Sequence, residues 1–193
     1  GAPSTNVGAL VLQERPIDLP LSFAQERLWF LDQLVPGSAS YNVPMALRLS
    51  GPLQISALEH SLATVVLRHE VLRTTFDIRQ GRPVQVIKPS LSLPMPVIDL
   101  SGMASAEHER QVSMLARTEA QRPFDLANGP LLRVCLLRLG TQQTDDASPR
   151  VSQEHVLLLT SQHIVFDGWS MGVLVHEITT LYQAEIKGEP INL

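Results

Sequence analysis

The spacing of hydrophobic residues predicts a helix near the start of the chain. In the segment LSFAQERLWFLDQL, Leu28, Leu31 and Leu34 fall on one side of a helix. Ser22 precedes this pattern and Gln25 follows three residues later, which is the spacing of a capping box. We therefore expect a helix that begins after Ser22 and packs through its leucine side.

Three further helices are predicted by the same period. The second has Ser56 and Glu59 in capping-box spacing, and its hydrophobic residues are Leu58, Leu62, Val65 and Val66. A polar helix is expected from about Ala104 to Arg122, before Pro123. The segment WSMGVLVHEITTLYQAEIKG predicts the last helix, with Gly188 near its C-terminus. The side chains expected to point inward from that helix are Val173, Leu174, Ile178, Leu181 and Tyr182.

Strands are predicted where hydrophobic residues alternate or run together. YNVPMALRLSG is one strand, and LRTTFDIRQGRPVQVI alternates around RQGRP as a hairpin does. LSLPMPVIDLSGM is interrupted by prolines and is therefore expected at a sheet edge. PLLRVCLLRL and SQEHVLLLTS are predicted as strands on either side of a solvated loop, GTQQTDDASPR. These elements predict an α/β (α+β) sandwich with a mixed, largely antiparallel sheet flanked by helices.

Composition adds limits to the function. The 193 residues fit one domain or one lobe of a larger unit, with 15 basic and 19 acidic side chains and no block of like charge. This balance argues against nucleic-acid and anionic-membrane partners, and no hydrophobic run is long enough to span a bilayer. Residues 1–18 are interpreted as a linker or tag remnant. A single cysteine, Cys135, is typical of a reducing cytoplasm and of a core thiol.

The candidate chemistry lies in SQHIVFDGWS, where the last strand meets the last helix. His163 stands at the strand end, and Asp167 and Gly168 precede a helix whose N–H groups favour developing negative charge. On spacing alone, the commoner interpretation is a hydrogen-bonded, half-buried histidine followed by a helix cap. No second His/Cys cluster supports a metal site, and nothing in the sequence positions Ser170 and His176 as a triad.

Several motifs in order point to a known family. LSFAQERLWFLDQL, RHEVLRTTF and SQHIVFDGWS resemble the first three signature motifs of condensation domains from non-ribosomal peptide synthetases. PGSASYNVP and RPFDLANGPLLRVCLLRL resemble the sequence between those motifs. The resemblance runs from about Leu19 to the C-terminus, so residues 19–193 are identified as the N-terminal lobe of a condensation domain, without its C-terminal lobe.

The resemblance implies a fold similar to chloramphenicol acetyltransferase and an amide-bond-forming acyltransferase with its active site between two lobes. Donor and acceptor thioesters arrive on carrier proteins through 4'-phosphopantetheine arms, and no cofactor is bound by the chain itself. Implied partners are both carrier proteins, the second lobe and a neighbouring adenylation domain. His163 and Gly168 take the catalytic positions of the third motif. Asp167, with Arg68 and Arg73 of the second motif, is expected to support the structure, Asp167 by pairing with an arginine.

One departure and two alternatives remain open. Gln162 replaces the first of the family's two adjacent histidines, and since the second is the catalytic one, we expect reduced or retuned activity. The motifs resemble the type that joins two L-configured residues, and the lobe alone is expected to be inactive. The alternatives are a non-catalytic recruitment module of the same fold and a stand-alone acyltransferase.

Overall fold

The computed structural model describes residues 15–143 and 151–190, and within them four helices pack with two sheets. The helices are α1 (Phe23–Leu34), α2 (Ile55–Arg68), α3 (Ser105–Gln121) and α4 (Gly168–Lys187), with a 3-10 turn at Glu70–Arg73. The strands are β1 (Leu19–Pro20), β2 (Asn42–Ser50), β3 (Thr74–Arg79), β4 (Arg82–Ile87), β5 (Val97–Asp99), β6 (Leu132–Gln143) and β7 (Val151–Gln162). Most of the predicted linker, residues 1–14, lies outside the described residues.

The larger sheet has the strand order β2-β7-β6-β5. Its β2–β7 and β6–β7 pairs are antiparallel, and the short edge strand β5 pairs with β6 in parallel. A second sheet, β1-β4-β3, contains the predicted hairpin, which turns at Gln80 and Gly81 with φ of 51° and 75°. Positive φ at both central residues is the turn that matches strand twist. The α/β sandwich with a largely antiparallel mixed sheet is therefore confirmed.

Alternation along β6 and β7 builds one core on each face of the larger sheet. Leu136 and Leu157 face the cluster that α2 and α4 cover, whereas Leu137 and Val156 face the cluster beneath α3. Each of these four side chains is at most 3% exposed. A strand buried on both faces is a continuous hydrophobic run, as LLRVCLL and HVLLL are. This double coverage fixes the strand end at Gln162, where the candidate site begins.

Three details of the predicted helices are wrong. Helix α2 begins at Ile55, which packs against the core, so Ser56 lies inside the first turn and makes no capping bond. Leu34 is 64% exposed, because α1 lies on the surface and contains no fully buried residue. Val173 is 40% exposed, because it lies on the flank of α4 beside the buried row of Leu174.

One strand is longer than predicted. Strand β6 continues through Gly140 to Gln143, after a register shift between Arg138 and Gly140, so the first four residues of the predicted loop belong to the sheet. Gly140 takes φ of 83°, and a Cβ there would lie 2.9 Å from Ser101 Cβ, which explains why glycine suits this irregularity. Residues 144–150 of the predicted loop lie outside the described residues.

Candidate active site

The segment between β7 and α4 holds the candidate site and presents one exposed imidazole. His163 is exposed, whereas Gln162, Ile164, Val165 and Phe166 around it are each at most 6% exposed. The amide of His163 donates to the carbonyl oxygen of Tyr41 at 2.9 Å, which continues the β2–β7 pairing by one residue. Buried neighbours on both sides thus hold the His163 backbone while its ring stays accessible.

The ring of His163 has one hydrogen-bond partner in the described part of the chain. Its Nδ1 lies 2.8 Å from the carbonyl oxygen of Phe166. A carbonyl oxygen only accepts, so Nδ1 carries the hydrogen and Nε2 of the neutral ring has the lone pair. The local turn therefore orients an exposed Nε2 that can accept a proton.

Two glutamine side chains contact the backbone of Ile164, the residue that follows His163. The side-chain oxygen of Gln162 accepts from the Ile164 amide at 2.5 Å, and Nε2 of Gln25 lies 3.4 Å from the Ile164 carbonyl oxygen. Gln25 also completes the predicted capping box, since Ser22 Oγ accepts from its amide and its Oε1 accepts from the Ser22 amide. The first motif and the third motif therefore meet at Ile164.

Asp167 is the N-cap of α4. Its Oδ1 accepts from the Ser170 amide at 2.8 Å and from the Ser170 hydroxyl at 2.6 Å. These hydrogen bonds hold the pKa of the Asp167 carboxyl below its usual range. Ser170 is thus a partner of the cap, and the cap accounts for the acid without proton relay.

Among the described residues no arginine forms an ion pair with Asp167, so the expected pairing stays a prediction. Arg68 Nε lies 3.3 Å from Glu177 Oε1, and Arg73 bonds the Lys88 carbonyl oxygen and Glu70. Within the described residues, both arginines of the second motif therefore bond to partners other than Asp167. The Ser170 amide and hydroxyl satisfy Oδ1 of Asp167 locally, without a residue distant in sequence.

Glu177 is a supporting residue that sequence reasoning missed. Its side chain is 10% exposed, and its Oε2 lies 2.6 Å from His69 Nε2 while its Oε1 contacts Arg68. This carboxylate joins α4 to the end of α2. The signal was present in the sequence, because Glu177 falls three residues after Leu174 on the stripe that faces the core.

Gly168 begins α4 in an ordinary backbone conformation. It is not among the residues with positive φ, and a Cβ built there meets no atom within 4 Å. Neither a left-handed backbone nor a close neighbour among the described residues therefore requires glycine at this position. The next residue, Trp169, is 85% exposed, so the helix start presents open space beside a large apolar side chain.

Metal chemistry and membrane insertion find no support in the part of the chain that the structure describes. Residues 15–143 and 151–190 contain no group of three or more histidine, cysteine and acidic side chains arranged to hold a metal ion. None of the described helices has the length and hydrophobicity needed to cross a bilayer. The accessible chemistry at this end of the sheet is that of His163 and the α4 start.

Comparison with known proteins identifies the family. A model of the condensation domain matches residues 17–193, so the chain belongs to the condensation-domain family. It is 45% identical, over 98% of its length, to one of the linear gramicidin synthase subunits of Brevibacillus parabrevis. It is 43% identical, over 94% of its length, to the phosphinothricin tripeptide synthetase PhsC of Streptomyces viridochromogenes.

Solved structures give the same assignment. The first condensation domain of the CDA synthetase superposes with a TM-score of 0.76 at 26% identity, over 92% of this chain and 43% of that one. The starter condensation domain of rhizomide synthetase gives 0.76 at 25% identity, over 92% and 40%. The expected chloramphenicol acetyltransferase-like fold is therefore confirmed.

The chain is short beside its relatives. It spans 2% of that gramicidin synthase polypeptide and 16% of the phosphinothricin tripeptide synthetase, and about 40% of the rhizomide synthetase structure. The match is thus to part of a condensation domain within much larger synthetases.

Proposed function

We propose that residues 19–193 form the N-terminal lobe of a condensation domain that joins two carrier-bound substrates by an amide bond. The donor is an acyl or peptidyl thioester and the acceptor an aminoacyl thioester, each on a 4'-phosphopantetheine arm of a carrier protein. The reaction forms a C–N bond, breaks the donor C–S bond and releases the donor arm as a thiol. The observation that carries this proposal is that His163 is exposed and its ring is oriented through Nδ1, which leaves Nε2 as the acceptor.

The reaction does not require a strong base from the protein. An α-amino group has a pKa of roughly 7.7–8.0, so about a tenth or more of the acceptor amine is neutral at pH 7. Attack on the thioester carbonyl then places positive charge on the new nitrogen. His163 Nε2 orients the amine and takes the proton from that nitrogen, and the proton later leaves with the released thiol.

The oxygen of the tetrahedral intermediate needs a partner for its negative charge. We assign this to the start of α4, where the N–H groups of the first turn and the helix dipole favour an anion. The open space at Gly168 leaves room for a tethered carbonyl to approach that backbone. Gly168 is thus proposed as a catalytic residue through its main chain.

The second wall of the channel is proposed to come from the C-terminal lobe. Three apolar side chains on the outer face of α1 support this, since Phe23, Phe30 and Leu34 are 93%, 59% and 64% exposed. Large exposed apolar side chains at helical spacing are typical of a surface that another domain covers.

An adenylation domain of the same synthetase would load the acceptor carrier with its amino acid. The reaction would take place in the cytoplasm.

The test is a reconstitution with the complete condensation domain. A donor carrier charged with an L-aminoacyl thioester and an acceptor carrier charged with a second L-amino acid are incubated with the domain. Intact-protein mass spectrometry should find the dipeptidyl group on the acceptor carrier. Loss of donor charge with no dipeptide on the acceptor carrier, for a range of L-amino acids, would contradict amide-bond formation.

A further inference from the structure

The backbone of Ile164 is held at its N–H and at its carbonyl oxygen by two side-chain amides. Gln162 accepts from its N–H at 2.5 Å, and Gln25 Nε2 approaches its carbonyl oxygen at 3.4 Å. We propose that Gln25 and Gln162 form an amide clamp on the two peptide groups that flank the Ile164 Cα, and that this clamp positions His163 for the reaction. The expected effect on the rate of dipeptide formation rests on the proposed function. The expected effect on the tautomer of the His163 ring rests on the structure alone.

The clamp acts one residue from the imidazole. Ile164 and Gln162 are each 4% exposed, so the hydrogen bond between the Ile164 amide and Gln162 is shielded from water. A buried amide that loses its partner is destabilising, and the turn can relieve this by rearranging. Rearrangement would move the Phe166 carbonyl oxygen away from Nδ1 of His163, because both belong to the same short turn.

Gln162 thereby gains a specific role at the position where the family pattern has a histidine. Its side-chain oxygen accepts a hydrogen bond and carries no titratable proton. A histidine there can accept from the Ile164 amide only while its accepting nitrogen is unprotonated. The turn of this chain therefore keeps its geometry as the pH falls, and no second imidazolium forms beside His163.

Gln25 gives the first motif a role in the active site. Its oxygen caps α1 through the Ser22 amide, while its Nε2 reaches both the Ile164 carbonyl oxygen and, at 3.2 Å, the side-chain oxygen of Gln85. One side chain thus connects α1 and the hairpin strand β4 to the His163 turn. These are positioning contacts, since neither glutamine needs to touch the substrates for the clamp to act.

The substitution Gln25→Glu separates the two roles of Gln25. A glutamate at the third helical position still accepts from the Ser22 amide and suits the first turn of a helix. It loses the Nε2 donor and places an oxygen opposite the Ile164 carbonyl oxygen.

Gln162→Leu removes the other half of the clamp without adding charge. Gln33→Leu is the matched control, since Gln33 lies exposed on the same helix and its side chain donates to the neighbouring Asp32.

The first readout is the tautomer of His163 in the complete domain, by imidazole 15N NMR at a pH where the ring is neutral. His163→Ala identifies the signal. Wild type and Gln33→Leu should show the Nδ1-protonated form, and both clamp variants should show a mixture of tautomers. An unchanged tautomer in folded Gln25→Glu and Gln162→Leu proteins, judged by circular dichroism, would overturn the clamp.

The second readout is the rate of dipeptide formation with a soluble aminoacyl N-acetylcysteamine thioester as acceptor. Both clamp variants should lose about 10-fold or more in kcat with little change in KM, because misplacing a catalytic group by about 1 Å costs up to about 10²-fold. Gln162→His should keep most of the wild-type kcat at alkaline pH, because the unprotonated histidine nitrogen can accept from the Ile164 amide. Wild-type kcat in both clamp variants would overturn the proposal, whereas a wild-type domain that makes no dipeptide but shows the tautomer change would contradict only the proposed function.

Discussion

The imidazole of His163 and the carbonyl oxygen of Phe166 lie 2.8 Å apart, and this hydrogen bond defines the chemistry of the site. It assigns the hydrogen to Nδ1 and leaves Nε2 as the proton acceptor. Catalytic histidines are commonly oriented by a carboxylate, but here a main-chain oxygen of the same turn does so. Asp167 is consequently free to act as the cap of the following helix.

Substitution of Asp167 distinguishes a cap from an ion pair. Asp167→Ala should lower Tm, because the Ser170 amide and hydroxyl lose their acceptor. Asp167→Asn should keep Tm close to wild type, since asparagine caps helices about as well as aspartate. Thermal unfolding of the complete domain followed by circular dichroism measures both. An equal loss in the two variants would show instead that the negative charge itself is needed.

Gly168→Ala separates folding from catalysis at the start of α4. The new methyl group meets no atom within 4 Å and the backbone there is not left-handed, so the fold should accept it. Helix propensity favours alanine over glycine by up to about 1 kcal/mol, so stability should be unchanged or slightly higher. Dipeptide formation should fall by about 10-fold or more if the carbonyl approaches this backbone closely. Wild-type activity would refute that approach.

The sequence was most informative where a contact is local. The capping box of Ser22 and Gln25 was predicted correctly because its two partners are three residues apart. The helix cap at Asp167 was one of two interpretations of the spacing, and its partner Ser170 is equally local. The hairpin turn at Gln80 and Gly81 follows from the same short-range rules.

Contacts between distant segments could not be predicted from one sequence. Nothing in the residues around Arg68 indicates that it faces Glu177 rather than Asp167, since all three positions suit an ion pair. The second role of Gln25, at Ile164, depends on where α1 lies on the sheet. Ser56 was misplaced as a cap because packing of Ile55 begins the helix one residue earlier.

Loss of the Glu177 carboxylate should weaken the α2–α4 junction. Glu177→Ala leaves His69 and Arg68 without their partner, and hydrogen bonds to a charged group contribute about 1.5–3 kcal/mol, reduced here because Arg68 is half exposed. We expect a loss of about 1–2 kcal/mol in urea unfolding. Glu185→Ala on the same helix is the control, expected within about 0.5 kcal/mol because its contact with His60 is exposed.

Burial of His155 should make stability depend on pH. Its side chain is 4% exposed, and desolvation, followed by the charge of Arg138, lowers its pKa below the ordinary value of 6.5. As the pH falls below 6.5, the unfolded chain binds a proton at His155 before the folded protein does, so the free energy of unfolding decreases. The decrease from this residue ends once the pH passes below the folded pKa.

Unfolding titrations above and below pH 6.5 test this linkage. His155→Leu should show a smaller loss of stability on acidification than wild type. His176→Gln, at an exposed position of α4, should show the wild-type loss. An identical pH dependence in wild type and His155→Leu would contradict the assigned burial effect.

The most direct test of the central claim is the rate of dipeptide transfer by His163→Ala in the complete domain with both carriers charged. The ring is exposed and makes one hydrogen bond, so the variant should fold with a Tm near wild type. Loss of a general acid–base group costs about 10²–10⁴-fold, and the rate should fall by that order. A folded His163→Ala protein that transfers the donor at the wild-type rate would contradict the assignment of catalysis to this imidazole.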